Sequence, residues 1–292
     1  MYRFLILFSV IFLIQCSPDQ KGKSNFSALE EKAKAEPTPE NVGLLLKAYN
    51  THLKDNQDDL EVYEKAYFLA KENQSPAASS YLTNLISKSD PGSKKSSDWL
   101  YELAGSLEKQ NKQEAALVIY GNLIKRFPAY PKLNEIKEKL GDNTPASIIE
   151  RLTQSRLENP DQFGINRNEA FKYVDACEAY ALSAPEDPKS PEYLFNAAEI
   201  AKLLKTYNKA LSLYDRLIEG YPDYKKTPSA LFIKAFTLEN ELGNEEEARK
   251  AYTLFLEKYP EDNFADDAKF SLENLGKTPD EVLKAIEAKS NQ

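Results

Sequence analysis

Residues 210–222 read ALSLYDRLIEGYP, and 38 positions later residues 248–260 read ARKAYTLFLEKYP. Ala210 aligns with Ala248, Tyr214 with Tyr252 and Leu217 with Phe255, and both stretches end on Tyr-Pro. A third copy, ALVIYGNLIKRFP at 116–128, has Ala116, Tyr120 and Leu123 in the same places. A fainter one has Ala78, Leu82 and Leu85, again 38 residues before Ala116. Spacings of four and three put these residues in one stripe along a helix. Alanine lets a neighbouring helix approach closely, and the larger residue fills the space beside it.

Each copy follows another segment with a matching stripe: Val62, Ala66 and Leu69; Leu100, Ala104 and Leu107; Leu194, Ala198 and Ala201; Phe232 and Ala235, with Phe236 where a small residue is expected. Six Ser/Thr-Pro pairs open apolar-periodic segments: Thr38-Pro39, Ser75-Pro76, Thr144-Pro145, Ser190-Pro191, Thr227-Pro228 and Thr278-Pro279. A hydroxyl at the cap and a proline at the first helical position are helix-start signals. Thr278 with Glu281 also fits a capping box. Phe127-Pro128, Tyr221-Pro222 and Tyr259-Pro260 mark stops, because proline disfavours helical geometry in the residue before it. Only 10 residues are glycine and no Val/Ile/Thr alternation appears, so a β-rich fold is excluded.

The paired stripes resemble the tetratricopeptide repeat, two antiparallel helices in about 34 residues with small residues where they cross. That resemblance implies an all-α superhelical solenoid, with units over 59–90, 97–128, 191–222 and 229–260. Between Pro128 and Pro222 the register breaks, and helices near 132–140, 145–158 and 167–184 fit as degenerate pairs around a loop at 159–164. One continuous superhelix and two arrays with a bend near 141–165 both accommodate this. Residues 39–54 are expected to pack as an N-terminal helix, and 265–275 and 279–288 as closing helices.

The first sixteen residues read as an address. Arg3 precedes the apolar run FLILFSVIFLI at 4–14, then Gln15 and Cys16. Eleven helical residues rise about 16 Å, half a bilayer core, so the run suits a secretory signal better than a membrane span. Leu13-Ile14-Gln15-Cys16 resembles a bacterial lipoprotein box, with Gln15 where a small residue is usual. The resemblance implies cleavage before Cys16, acylation of that cysteine and, with Ser17 next, transfer to the outer membrane. The expected organisation is a signal peptide over 1–15 and lipidated Cys16 with a flexible tether over 16–37. Repeat-like helices follow over 38–140, a degenerate pair or connector over 141–188, and a C-terminal repeat block with closing helices over 189–292.

The charge balance, 46 acidic against 38 basic side chains, is wrong for a nucleic-acid binder, and no basic run exceeds Lys94-Lys95. One histidine and two cysteines cannot supply a Cys/His zinc site. No cofactor or metal is expected. Gly276-Lys277-Thr278 lacks the upstream glycine of a phosphate loop and reads as a helix stop followed by a cap. Glu245-Glu246-Glu247 and Asp266-Asp267 suit the first turns of helices. His52 reads as a surface residue near a helix C-terminus, and Cys177 as a small buried apolar residue. No catalytic residue is nominated.

In the register of the resembled family, the first helices of the pairs line a concave face, which nominates Tyr63, Tyr67, Tyr101, Phe195, Glu199, Lys202, Ile233 and Asn240. Rings with a few charges suit an extended peptide or partner helix. Residues 190–288 resemble the envelope tetratricopeptide lipoproteins of BamD and Tol–Pal-coordinator type, and the whole organisation resembles such lipoproteins of Bacteroidetes-type bacteria. That resemblance implies a non-enzymatic, membrane-anchored scaffold at the periplasmic side of the outer membrane, binding an envelope protein or peptide. The alternative is a lipoprotein capturing glycans or peptides through a tyrosine-rich groove.

Overall fold

The computed structural model describes residues 26–162, 164–278 and 280–284, so the leader, Cys16 and most of the tether lie outside the described residues. Those residues form fourteen α-helices and no strand. The chain divides at Ala78/Ser79 into two compact units.

The first unit holds α1 (Ser27–Ala35), α2 (Pro39–Asp55) and α3 (Leu60–Glu72). Helix α1 lies inside the stretch that the sequence reads as tether. A nine-residue helix is marginal in isolation. What holds it comes from elsewhere in the chain: Phe26 sits edge-on to Tyr49, ring centroids 4.8 Å apart, and Glu30 accepts a hydrogen bond of 2.7 Å from the Tyr49 hydroxyl. Lys65 pairs with the same carboxylate at 3.3 Å. One ring and one carboxylate are too sparse a signal to show as a periodic stripe.

His52 is also corrected, for it is buried. Asn56 Nδ2 donates to the His52 carbonyl at 3.0 Å, which turns the amide so that Nδ2 faces Nδ1 at 3.4 Å. Nδ1 is then the acceptor, and Nε2–H donates to Asp59 Oδ2 at 2.8 Å. Asp59 also caps α3 by accepting from the Val62 amide. Burial would raise its carboxyl, but the His52 and Val62 hydrogen bonds outweigh that and hold it below the usual range.

The second unit holds α4 (Ala78–Lys88), α5 (Lys94–Lys109), α6 (Gln113–Arg126), α7 (Leu133–Leu140), α8 (Pro145–Ser155), α9 (Arg167–Ser183), α10 (Ser190–Leu203), α11 (Tyr207–Gly220), α12 (Thr227–Asn240), α13 (Glu245–Lys258) and α14 (Ala265–Asn274). The sequence pairs α3 with α4 as its first repeat, whereas the chain divides between them. Helices α5/α6, α10/α11 and α12/α13 pack as adjacent pairs. Their crossings are built on Ala104, Ala116, Ala198, Ala210, Ala235 and Ala248, none of which has accessible surface. Within each pair the turn carries a left-handed residue, Asn111, Lys205 or Gly243, and the next amide bonds back to the carbonyl five residues before it (six for Asn244).

The Ser/Thr-Pro pairs act in two ways. Thr38 and Thr144 cap α2 and α8 as expected, Thr144 in a reciprocal box with Ser147. Ser190 and Thr227 do not cap. They are buried, and each hydroxyl donates six residues back, Ser190 to the Ala184 carbonyl (2.7 Å) and Thr227 to the Tyr221 carbonyl (2.7 Å). Ser96 does the same to Asp90 at 2.6 Å. In all three the accepting residue precedes a proline, so the hydroxyl satisfies a carbonyl at the helix stop. Aligning Ser190 with Thr227 gives an offset of 37, not 38. The register of the fourth first-helix therefore shifts by one: Leu231 and Ala235 are buried, and Phe236 points outward. The turn before α13 is one residue longer and absorbs the difference.

Across the register break, α9 packs against both α6 and α10, with α8 beside it. The segment continues the packing from one regular stretch to the next. Asn122 donates to Ser183 at 2.9 Å in the interior, and Arg126 forks to the carbonyls of Ser183 (2.5 Å) and Pro91 (2.6 Å). A Cβ on Gly121 would lie 2.6 Å from Cδ of Pro145, so the α6/α8 crossing needs a glycine. Cys177 is fully buried, and burial pushes its thiol up to about 12, consistent with a packing role.

Candidate functional site

The first helices α5, α10 and α12 repeat one arrangement. Five residues beyond the braced hydroxyl of Ser96, Ser190 or Thr227 stands an aromatic ring: Tyr101, Phe195 or Phe232. Each packs on the tyrosine of its own second helix, Tyr101 on Tyr120 at 5.9 Å, Phe195 on Tyr214 at 6.5 Å and Phe232 on Tyr252 at 6.0 Å. The tyrosine hydroxyl in turn donates to a carboxylate of the first helix: Tyr120 to Glu108 (3.2 Å), Tyr214 to Glu199 and Tyr252 to Glu239 (2.7 Å). Burial and these carboxylates raise all three phenols well above their ordinary value.

From outside, each ring of this series is covered by the residue just ahead of the next first-helix position. The Lys132 ammonium lies 4.0 Å from the Tyr101 centroid, and Lys226 lies 4.5 Å from that of Phe195. Phe264 stacks on Phe232 at 4.7 Å and 11°. Helix α7 completes the cover of α5: Tyr101 donates to Glu135 at 2.8 Å, and Lys139 pairs with Glu108 at 2.7 Å.

The nominated residues therefore separate. Tyr63 and Tyr67 belong to the first unit and are buried. Their expected exposure on a groove is corrected, because both side chains are taken up by packing, at 8% and 4% accessibility. Phe195 is buried beneath Lys226, and Tyr101 is half-buried beneath Lys132 and Glu135. Ile233 is half-buried and, after the one-residue shift, yields its position to Phe232. Glu199 and Lys202, 3.4 Å apart, remain half-exposed on α10, and Asn240 is exposed on α12. Sequence reasoning missed two exposed apolar residues on these helices, Leu203 and Phe236, each 47% accessible. The signal for Phe236 was the misfit at a position where a small residue was expected.

Two carboxylates on α9, Asp175 and Glu178, could suggest acid–base chemistry. Burial raises the Asp175 carboxyl even with Lys112 at 3.0 Å. Burial pushes Glu178 the same way, but Lys209 and Arg216 (3.0 Å) outweigh it and hold it low. Asp175 is matched by one cation and Glu178 by two, the chemistry of part-buried ion pairs. Gly276 has a positive φ and the Glu245 carboxylate pressed against it, which suits a helix stop and opposes a phosphate. Among the described residues no cluster of three His, Cys, Asp or Glu side chains could hold a metal, and no helix is long and apolar enough to cross a membrane.

The tetratricopeptide-repeat family profile matches residues 99–130, 192–224 and 229–262, which hold most of α5/α6, α10/α11 and α12/α13. The chain carries tetratricopeptide repeats, a class that typically serves as a protein–protein interaction scaffold. Among solved structures it is similar to the C-terminal part of a TPR repeat-containing protein of Cytophaga hutchinsonii. Identity is 15% over 83% of this chain and 98% of that one, with a TM-score of 0.29. It is also similar to the TPR2AB domain of yeast Sti1 in its complex with pHSP90, at 15% identity over 84% and 95% of the two chains and a TM-score of 0.29. No curated protein matches the chain.

Proposed function

We propose that the protein is a non-enzymatic scaffold of the bacterial cell envelope, anchored to the outer membrane through acylated Cys16 and facing the periplasm. It holds an envelope protein partner, in outer-membrane protein assembly or envelope maintenance. The observation that carries the scaffold reading is the exposure of Leu203 on α10, which also carries Glu199 and Lys202, and of Phe236 on α12, which also carries Asn240. Apolar anchors among polar groups are the composition of a protein-binding face. The alternative, capture of glycans or peptides in a tyrosine-rich groove, loses support because Tyr63 and Tyr67 are buried and Tyr101 is half-buried beneath Lys132 and Glu135.

The anchor reading rests on the sequence at 1–16. Affinity capture of the native lipoprotein followed by mass spectrometry should recover one envelope protein, and Leu203→Asp with Phe236→Asp should abolish that recovery. A double variant that keeps its partner refutes the binding face. Cys16→Ala should release the protein from membranes; if the variant stays bound, the lipid anchor is wrong.

A further inference from the structure

We propose that Phe270, on α14, is a docking point for a basic amphipathic helix of a partner protein, whose lysine or arginine lies over the ring. This rests on the scaffold reading above but uses a different surface. The argument is quasi-equivalence. Tyr101, Phe195 and Phe232 stand five residues beyond Ser96, Ser190 and Thr227; Phe270 stands five beyond Ala265, the buried residue at the corresponding place on α14. The first three rings each have a cover, and two of the three covers are ammonium groups, at 4.0 and 4.5 Å. Phe270 is 49% accessible, and among the described residues no ring or ammonium lies over it. The array thus shows on its own neighbours what fits this position.

The charge around the ring selects a cation over a second aromatic. Asp266 and Asp267 lie in the first turn of α14, one turn before Phe270, and Lys269 pairs with Asp266 at 3.4 Å. Residues 227–284 contain 13 acidic and 7 basic side chains. A cation over a ring face with an acidic rim is favoured by the ring quadrupole and by the surrounding field together. An acidic partner would be repelled by the same rim.

The test is fluorescence anisotropy of the full chain in detergent with a synthetic 18-residue lysine/leucine amphipathic peptide and its glutamate/leucine counterpart. The lysine peptide should bind saturably and the glutamate peptide should not. Phe270→Leu keeps an apolar side chain but removes the ring face, and should weaken binding by roughly tenfold, whereas Phe270→Tyr should stay within about twofold. Asp266→Asn with Asp267→Asn should weaken it a few-fold and flatten its salt dependence. Circular dichroism reports whether each variant folds. Wild-type binding by Phe270→Leu overturns the proposal. So does a truncation after Lys284 that strengthens binding about tenfold, which would make the chain's own tail the occupant. Phe270-dependent self-association in sedimentation would do the same by making the occupant a second copy. Any of these leaves partner capture through Leu203 and Phe236 untouched, so the two readings fail separately.

Discussion

Within the second unit, the stretch from α10 to α13 and the stretch from α7 to α9 solve one packing problem differently. In the first, both helix pairs reuse an alanine notch, a buried tyrosine and a left-handed turn, at offsets of 37 and 38 residues. In the second, α9 contacts α6, α8 and α10 and is buried on most of its circumference, from Ala170 through Ser183. A helix enclosed by three neighbours has no single apolar stripe, so it carries no periodic signature. Regular stacking therefore leaves a pattern in the sequence, and enclosure erases it.

The comparison can be broken in order of expected effect. Phe255→Ala empties a fully buried site inside the α12/α13 crossing and should cost about 3–5 kcal/mol, read by urea unfolding. A cost below about 1 kcal/mol would mean that the regular pair collapses around a cavity, against the close packing of such crossings. Gly121→Ala attacks the connector, where the new Cβ meets the Pro145 ring at 2.6 Å. A loss of about 1–3 kcal/mol is expected. The same change at Gly105, where nothing lies within 4 Å, should instead be neutral or gain up to about 1 kcal/mol from helix propensity.

Tyr214→Phe sharpens the comparison by removing one hydroxyl that ties a second helix to its first through Glu199. The loss should be about 1–2 kcal/mol, near the low end for a charged partner because Glu199 is partly exposed. Smallest, and of opposite sign, Lys205→Gly should stabilise by about 0.5 kcal/mol, since φ there is +61° and a side chain is strained in that region. A destabilised glycine variant would show that Lys205 makes contacts worth more than its backbone strain.

The parts of this architecture legible in the sequence were those with a local cause. Aromatic-Pro stops at Phe127, Tyr221 and Tyr259 close α6, α11 and α13 because proline acts on its immediate neighbour. The alanine and tyrosine stripes were legible because helical spacing is fixed. The role of Ser190 and Thr227 was not: a hydroxyl before proline looks the same whether it caps forward or donates six residues back. The structure distinguishes them by burial. Helix α1 was missed because Phe26 and Glu30 act on Tyr49 and Lys65, which lie far along the chain. At the candidate site, the repeat register nominated Glu199 and Lys202, which are half-exposed, and Asn240, which is exposed. That register could not foresee that Lys132 and Lys226 would lie over Tyr101 and Phe195.

The hydroxyl that reaches back across each proline has a consequence for rebuilding the molecule. It helps make the segment from Tyr221 to Thr227 a compact splice: the Thr227 hydroxyl and the Tyr224 amide both donate to the Tyr221 carbonyl, and the Thr227 amide donates to that of Tyr224. An additional 38-residue module grafted at that joint would inherit its own brace and its own alanine notch, so the solenoid is extensible there. No such seam exists at Gly121 and Pro145, where two helices interlock through atoms from distant parts of the chain, and lengthening the protein at that place would require inventing a new crossing.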